Sequence, residues 1–333
     1  MKILFYDIKE FEYDFLLNHI PNNIEPVFFK HPLNQSTYIN ERHINADALC
    51  VFVSSNLDKE VLSRFKNLKY VFLRSSGYSN VDLNYCKKHD IKIFNCPMYG
   101  ASTVAEYAFG LILALSRKIP NAQSDLKNGE IDHNELMGFE LNSKTIGIIG
   151  TGSIGKKIIE IAHGFNMKTI VYDIKKDVNY SYSELDELYK NSDIIVLSCP
   201  LTKETKGLIN HNSINKMKKS ALIINVARGE IIDTKALTDA LVKKQIQGAA
   251  LDVIECEETL CDLWDFCVNT DKREDCLKKF LFIQKLKTMP NVIITPHIAY
   301  NTKEAVSEIL NITLKNIQSS FKINADTENL VML

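Results

Sequence analysis

The sequence lacks three features, and each absence excludes a class of protein. Its longest apolar run, residues 108–115, is far shorter than the roughly 20 residues of a membrane-spanning helix. Residues 1–7 form a short strand pattern without the apolar core of a secretory signal, so we expect a cytoplasmic protein. Forty basic and 41 acidic residues give a formal net charge of −1, so neither nucleic acid nor a membrane is an expected partner.

The eight cysteines lack the spacing of a metal site. No Cys-X-X-Cys pair occurs, and the gaps among the last four cysteines, between Cys256 and Cys276, are irregular. Structural zinc sites use regular ligand spacings, so no metal is expected. In a chain without an export signal, we expect the thiols to be reduced.

Glycine is scarce, yet three of the 13 glycines fall in the six residues Gly150-Thr151-Gly152-Ser153-Ile154-Gly155. The apolar run 145–149 before them predicts a strand, and residues 156–165 after them predict a helix. In that context the glycines provide a tight turn, close approach to a pyrophosphate and close helix packing. The helix N-terminus would bind the phosphates.

A second predicted strand, residues 168–172, ends in Asp173. A carboxylate there can bind both ribose hydroxyls of NAD and repel a 2′-phosphate. Strand, turn, helix and acid together predict an NAD-binding domain. The alternative is a glycine-rich turn followed by a surface aspartate.

Strand-like and helix-like stretches alternate along the chain, which predicts an α/β protein with parallel sheets. A chain of 333 residues is long for one core, so two domains are expected. The first is a small doubly wound domain, and the second, from Ser143, is a complete Rossmann sheet. Their predicted strands are residues 3–6, 48–53, 70–73 and 91–94, then 145–149, 168–172, 194–198, 221–225, 247–251 and 292–295.

A long apolar helix is predicted over residues 102–117, with Ser102 or Thr103 as its cap and Glu106 in its first turn. Its apolar character continues almost all the way round, so we expect burial between layers or between subunits. The other stretches outside the sheets are two short helices, a linker or surface helix, a helical insertion and a final amphipathic helix, at 59–65 and 83–89, 121–142, 258–287 and 302–321.

Arg228 follows one predicted strand of the second domain, at the edge where open α/β sheets bind ligands. The chain has 34 lysines and only six arginines, so an arginine here marks a place where lysine would not serve. Its guanidinium can hold the carboxylate of a 2-oxo acid by two parallel hydrogen bonds. The alternative is a surface arginine paired with Glu230 or Asp233.

His297 follows another strand of the same predicted sheet. Hydride transfer to a ketone builds negative charge on oxygen, which an imidazolium neutralises by donating a proton. Glu257 can hydrogen-bond the ring, hold its orientation and favour its charged form. Asp252 could tune the pair electrostatically. The alternatives are an isolated turn histidine and an aspartate that serves as a cap or turn ligand.

With these segments together, the chain resembles the D-isomer-specific 2-hydroxyacid dehydrogenase family from about residue 45 to residue 318. The resemblance rests on residues 73–77, 81–82, 98–106, 150–155, 199–205, 225–229, 250–257 and 296–300. It implies a discontinuous, flavodoxin-like substrate domain of residues 1–100 plus 300–333. A Rossmann NAD domain of residues 101–299 would be inserted, with a cleft between the two that closes to exclude water. It also implies a homodimer, because the long helix after Tyr99 packs across a dimer interface in this family.

The resemblance assigns the acid–base role to His297, with Glu257 as its partner and Asp252 behind them. Arg228 would bind the carboxylate and carbonyl of the substrate.

The resemblance also assigns the remaining contacts with small molecules. The backbone N–H groups of Ser76 and Gly77 would receive the substrate carboxylate, and Tyr99 would lie over the substrate. The residues that would line NAD are Gly150, Gly152, Ser153, Ile154, Gly155, Asp173, Cys199, Pro200, Thr205, Val226, Ala227 and Asp252.

Within the family, residues 252–257, the insertion with Trp264 and residues 296–300 are most similar to the lactate branch. The expected reaction is the reversible, NADH-dependent reduction of pyruvate to D-lactate. One alternative is a bulkier 2-oxo acid such as 2-oxoisocaproate, with Tyr99 and residues 51–56 setting the size of the pocket. Another is an NAD-sensing, corepressor-like binding protein, because the same fold serves that role and fold alone does not decide function.

Overall fold

The structure is a computed structural model that describes residues 1–78, 80–97, 99–129, 131–257, 273–321 and 329–331. The chain divides into two compact units, one of Met1–Gly100 with Thr302–Leu333 and one of Ala101–Asn301. Each unit contains its own parallel sheet, so the prediction of two parallel-sheet α/β domains is confirmed.

The first unit contains a five-stranded sheet with the strand order β2-β1-β3-β4-β5, in which every neighbouring pair is parallel. This is the order of flavodoxin-like folds. In chain order the strands and helices are β1 (Lys2–Phe5), α1 (Glu10–His19), β2 (Glu25–Phe28), β3 (Ala48–Val51), α2 (Lys59–Leu62), β4 (Tyr70–Leu73), α3 (Leu83–Lys88) and β5 (Lys92–Phe94).

The sheet of the first unit is covered by the chain's last described helix, α11, which spans Lys303–Ser319. The Thr302 hydroxyl caps it by accepting from the N–H of Ala305. Its buried face, which includes Ile309 and Ile317, contributes to the packing against β4 and α1. The final amphipathic helix predicted at residues 302–321 is therefore confirmed. It belongs to the first unit, together with the rest of the C-terminal segment.

The second unit contains a six-stranded parallel sheet with the order β11-β10-β9-β8-β6-β7. A Rossmann sheet places a third strand outside its second, and here that strand is reduced to one parallel bridge between Val171 and Tyr182. The strands and helices are α4 (Ala101–Ser116), α5 (Ile119–Asn128), β6 (Thr145–Ile149), α6 (Ser153–Gly164), β7 (Lys168–Tyr172), α7 (Leu185–Asn191), β8 (Ile194–Leu197), α8 (His211–Ile214), β9 (Leu222–Asn225), α9 (Thr234–Val242), β10 (Gly248–Leu251), α10 (Arg273–Lys287) and β11 (Val292–Ile294).

Helix α4 begins at Ala101, directly after Gly100, whose φ of +65° lies in the left-handed region. Ser102 and Thr103 therefore lie inside the helix, and their prediction as caps is wrong. Glu106 lies beyond the first turn. The buried side chains of α4 contribute to a core with β6, α6 and β9, so the helix is packed against the sheet of the second unit.

One other sequence prediction needs correction. Four described cysteines are free and buried, but Cys256 is disulfide-bonded, so the expectation of reduced thiols is wrong there. An argument from cell compartment carries no information on which thiols meet in the fold. Residues 258–272, which include Trp264, lie outside the described residues, and the rest of the predicted insertion forms α10. Among the described helices, none has both the length and the apolar character to cross a membrane.

Candidate active site

The glycine turn lies between β6 and α6, and among its three glycines only Gly152 has open space where a side chain would be. A Cβ on Gly150 would lie 2.6 Å from the nitrogen of Cys199, and one on Gly155 would lie 2.0 Å from the oxygen of Gly150. A Cβ on Gly152 would meet nothing within 4 Å. The first and third glycines are therefore required by packing, while the second leaves its backbone open, which fits close approach of a pyrophosphate.

Helix α6 begins at Ser153, three residues before its predicted start, and Gly152 is its N-cap residue. Ser153 and Ile154 therefore lie in the first helical turn, where backbone N–H groups have no partner within the helix. These groups and the helix dipole suit an anion at the turn. The residues present fit a dinucleotide phosphate.

Asp173 follows β7 and is held against the glycine turn. Its Oδ2 accepts hydrogen bonds from the backbone N–H of Thr151 at 2.6 Å and from the Thr151 hydroxyl at 3.1 Å. The Tyr182 hydroxyl lies 2.9 Å from that of Thr151, and the N–H of Lys175 donates to Asp173 Oδ1. The carboxylate is thus oriented before any ribose binds. Sequence reasoning found Asp173 and missed Thr151 and Tyr182.

Three further predicted NAD contacts, Cys199, Pro200 and Thr205, follow β8. Cys199 is buried beside Gly150, and burial raises the pKa of its thiol to about 11, so it stays neutral. The Thr205 hydroxyl donates to the carbonyl of Pro200 at 2.7 Å and accepts from the N–H of Thr202. Thr205 therefore shapes the 200–205 turn, a task that its position in the motif did not reveal.

The loop after β9 carries Val226, Ala227 and Arg228. The side chain of Asn225 shapes it by accepting from the N–H of Ala227 at 3.0 Å and donating to the carbonyl of Arg228 at 2.9 Å. Val226 and Ala227 are buried, while Arg228 is half-buried. Asn225 belongs to the motif of residues 225–229, but nothing in the sequence indicated that its side chain shapes the loop.

Arg228 donates from Nη1 to the carbonyl of Ala227 at 2.6 Å. Within the part of the chain that the structure describes, it forms no ion pair with Glu230 or Asp233. Asp233 instead caps α9 by accepting from the N–H of Ala236. The surface-pair alternative for Arg228 is therefore unsupported, and its guanidinium is available to bind an anion.

His297 and Glu257 form a hydrogen-bonded pair, with Nδ1 of the imidazole 2.8 Å from Oε2 of the carboxylate. Their side chains are 27 % and 34 % exposed, so the pair is reachable from solvent. Because the carboxylate only accepts, Nδ1 carries a proton and Nε2 is left to face a reacting group. The ring of Tyr300 contacts the imidazole edge-on, with the centroids 6.5 Å apart.

Asp252 is 2 % exposed and holds the turn that presents His297. Its Oδ1 accepts from the Thr295 hydroxyl at 2.6 Å and from the N–H of Ile298 at 3.0 Å. Its Oδ2 accepts from the N–H of Ala299 at 2.9 Å. Both oxygens are thus engaged with the turn on either side of His297, which is itself at a φ of +53°.

Tyr107, on α4, lies beside this network. Burial raises the pKa of its hydroxyl above the usual range, and the neighbouring Thr295 side chain partly opposes that rise. Sequence reasoning missed Tyr107 and Thr295, since neither stands out by residue type or spacing.

The predicted substrate contacts Ser76, Gly77 and Tyr99 belong to the first unit. Ser76 and Gly77 follow β4, where the Ser75 hydroxyl donates to the carbonyl of Gly77 at 2.8 Å and Asn95 donates to that of Ser76 at 2.7 Å. Tyr99 is half-buried and lies just before α4.

Arg74, in the same segment, is 1 % exposed and organises the carboxyl edge of the first sheet. Its Nη2 donates to the carbonyls of Tyr6 and Asp7 at 2.7 and 2.8 Å, and its Nη1 pairs with buried Glu12. The side chain also lies over the ring of Phe52. Nothing in the sequence pattern distinguished this arginine as a buried one.

The second unit therefore has the features of a dinucleotide-binding domain with an acid–base pair at the same edge of one sheet. Residues 109–299 match the family model described as "D-isomer specific 2-hydroxyacid dehydrogenase, NAD binding domain". This chain belongs to the D-isomer specific 2-hydroxyacid dehydrogenase family, and NAD is its cofactor.

Three relatives illustrate the range of the family. A 2-hydroxyacid dehydrogenase homolog of Haemophilus influenzae is 34 % identical over 340 residues, with 100 % of this chain and 99 % of that protein covered. An aromatic 2-oxoacid reductase of Clostridium sporogenes is 38 % identical over 290 residues, with 85 % of each covered. The crystal structure of D-lactate dehydrogenase from Aquifex aeolicus, complexed with NAD and lactic acid, has a TM-score of 0.88, 33 % identity and coverages of 99 % and 98 %.

Proposed function

We propose that the protein reduces pyruvate to D-lactate with NADH, in a reversible reaction. The observation that carries the proposal is the 2.8 Å contact between His297 Nδ1 and Glu257 Oε2 at the sheet edge that also bears the glycine turn. A keto acid needs a proton for its oxygen as its carbon is reduced, and a carboxylate-bound imidazolium is suited to supply it.

The bound cofactor supplies a hydride to C2 of the substrate. His297 donates the proton on Nε2 to the carbonyl oxygen, so that the ketone becomes a secondary alcohol. Glu257 stabilises the positive charge of the imidazolium before transfer and keeps the ring oriented throughout. In lactate oxidation the same nitrogen accepts the proton.

Arg228 binds the substrate carboxylate through its guanidinium fork and polarises the carbonyl. We propose that the N–H groups of Ser76 and Gly77 receive the same carboxylate and that Tyr99 lies over the substrate. Residues 1–100 and 300–333 would then form the substrate domain, and residues 101–299 the NAD domain. Binding at both ends fixes which face of the carbonyl meets the cofactor, and hence the D configuration.

A bulkier 2-oxo acid is the second candidate. It is favoured by the 38 % identity with the aromatic 2-oxoacid reductase, whereas the lactate assignment is favoured by the structural similarity to D-lactate dehydrogenase. Side chains of residues 51–56 and Tyr99 would set the space beyond C3 of the substrate.

We also propose a homodimer that works in the cytoplasm. Two large apolar side chains of α5, seven residues apart and so on the same face of the helix, support it, because exposed apolar groups on one face mark association sites. Ile119 and Leu126 are 56 % and 67 % exposed. Light scattering of the purified protein should give twice the chain mass of 37.9 kDa, and a single-chain mass would contradict the dimer.

The test is a panel of 2-oxo acids with NADH and with NADPH. We expect kcat/KM to be highest for pyruvate among pyruvate, 2-oxoisocaproate and phenylpyruvate, with NADH preferred because Asp173 repels a 2′-phosphate. Chiral analysis should find D-lactate. A higher kcat/KM for a bulkier acid would support the second candidate, and L-lactate would refute the D assignment. NADH binding without reduction of any 2-oxo acid would favour a binding protein.

A further inference from the structure

The segment that carries Glu257 is anchored by a second, buried carboxylate two residues earlier. Glu255 is 8 % exposed, and its Oε2 accepts from the Thr234 hydroxyl at 2.6 Å and from the Thr234 N–H at 3.1 Å. Its Oε1 pairs with Nζ of Lys279 at 2.9 Å. A buried carboxylate is costly unless it is paired and hydrogen-bonded, and Glu255 meets both conditions.

These partners belong to two helices that pack against each other. Thr234 is the first residue of α9, so the carboxylate satisfies an N–H that has no partner within the helix and meets its positive dipole end. Lys279 is on α10, whose Ile283 and Leu286 are fully buried in the same core as α9. Glu255 thus connects its loop to a rigid part of the second unit.

The loop itself has little freedom on its other side. A Cβ on Gly229 would lie 2.0 Å from the carbonyl carbon of Ile254 and 2.4 Å from the nitrogen of Glu255. The backbone that follows Arg228 therefore lies directly against the backbone that precedes Glu257. The two loops that carry the guanidinium and the carboxylate are packed as one body.

Between the anchor and Glu257 the chain takes an unfavourable conformation. Cys256 has a φ of +53°, in the left-handed region that a non-glycine residue occupies only when its surroundings impose it. This residue turns the chain from the buried Glu255 side chain to the partly exposed Glu257 side chain. Cys256 is also disulfide-bonded, so the turn is restrained both at Cys256 itself and at the Glu255 side chain before it. Without the Glu255 restraint, relaxation of the turn would move the carboxylate that contacts His297.

We propose that Glu255 is a positioning residue for the reaction, which holds the strained turn and thereby keeps Glu257 on Nδ1 of His297. This inference rests on the proposed function, because it assigns Glu255 to the same acid–base pair. Thr234 and Lys279 are the partners through which it acts.

The test compares wild type, Glu255→Gln, Lys279→Met and a matched control, Glu160→Gln. Glu160 also pairs with a lysine, Lys157 at 2.7 Å, but is 60 % exposed on α6, outside the acid–base pair. For each protein we would measure kcat and KM for pyruvate and the Kd of NADH by nicotinamide fluorescence. We would also record the low-field proton NMR signal of the His297 Nδ1–H, assigned by its loss in His297→Gln.

We expect Glu255→Gln to lower kcat by about 10-fold, since misplacement of a catalytic group by a fraction of an ångström has effects of that order. KM and the Kd of NADH should change by less than about twofold, because neither ligand touches Glu255. The low-field proton signal should weaken or broaden. Lys279→Met should show the same changes at smaller size, and Glu160→Gln should show none.

A purely structural role predicts a different pattern: a lower Tm with wild-type kcat and an unchanged low-field signal, which would overturn the proposal. If Glu255→Gln does not fold, Lys279→Met decides, and unchanged kcat and signal there would also overturn it. If the wild type reduces no 2-oxo acid, the proposed function fails, while the proton signal still tests whether Glu255 positions Glu257.

Discussion

Replacement of Asp252 by asparagine is the sharpest test of how His297 is held. The side chain is 2 % exposed and accepts three hydrogen bonds, at 2.6, 2.9 and 3.0 Å. Asparagine keeps the shape but has one oxygen, so its NH₂ group must face at least one donor. The least costly orientation keeps the bonds from Thr295 and Ile298 and sets the NH₂ against the N–H of Ala299.

The lost bond had a charged acceptor, and such bonds are worth about 1.5–3 kcal/mol each, with a further penalty for the buried N–H left unpaired. We therefore expect Asp252→Asn to lower the free energy of unfolding by at least about 2 kcal/mol. In a unit of this size that corresponds to a fall in Tm of about 4–8 °C. The turn at His297 would shift, and kcat should fall by about 10²-fold.

Differential scanning calorimetry and steady-state kinetics measure the two effects. Asp193→Asn is the control, because that carboxylate also accepts a backbone N–H, from Thr145 at 2.9 Å, and pairs with Lys218. Asp193 precedes β8, at the sheet edge opposite His297, so this variant should lose stability but keep kcat. If Asp252→Asn keeps both Tm and kcat, the carboxylate does not hold the turn and the reasoning is refuted.

Three other predictions use different parts of the molecule. Arg228→Lys loses the fork that grips a carboxylate, so KM for pyruvate should rise at least about 10-fold with the Kd of NADH unchanged, as steady-state and fluorescence measurements would reveal. Gly152→Ala should fold normally but bind NADH more weakly, whereas Gly155→Ala should lower Tm because its Cβ would lie 2.0 Å from a backbone oxygen. A lower Tm for Gly152→Ala than for Gly155→Ala, with NADH affinity unchanged in Gly152→Ala, would contradict the fit of the turn to a pyrophosphate. Arg74→Met leaves Glu12 buried and unpaired and should cost about 3–5 kcal/mol in urea unfolding, with recovery in the double variant Arg74→Met/Glu12→Gln; equal stability of single and double variants would argue against the pair.

The local pattern of apolar residues was sufficient to predict the bounds of strands that are buried on both faces. Strands β4 and β6 begin and end at their predicted residues, because a strand buried on both faces is apolar almost throughout. Strand β2 escaped prediction because it is a half-exposed edge strand that contains Pro26. The third Rossmann strand could not be predicted either, since one bridge at Tyr182 leaves no run to detect.

For the candidate site, the sequence identified the residues with a proposed chemical role but not the residues whose hydrogen bonds position them. His297, Glu257, Arg228 and Asp252 follow strands and belong to motifs, so their residue types and positions indicated chemistry. Tyr107 lies far from Thr295 in the chain, and it is placed by the packing of α4 rather than by any local rule.

The same limit applies to the other supporting groups. Glu255 meets Thr234 and Lys279 across two helices, and Arg74 meets Glu12 62 residues away. A sequence pattern does not report which distant polar groups meet in a core, whereas coordinates do.

The measurement that bears most directly on the account is kcat for pyruvate reduction by His297→Gln at saturating NADH and pyruvate. Glutamine can hydrogen-bond to a carbonyl but cannot give up a proton at neutral pH, so kcat should fall by about 10²-fold or more while the Kd of NADH stays at the wild-type value. A kcat within a few-fold of wild type would show that another group protonates the substrate, and the assigned chemistry would be wrong.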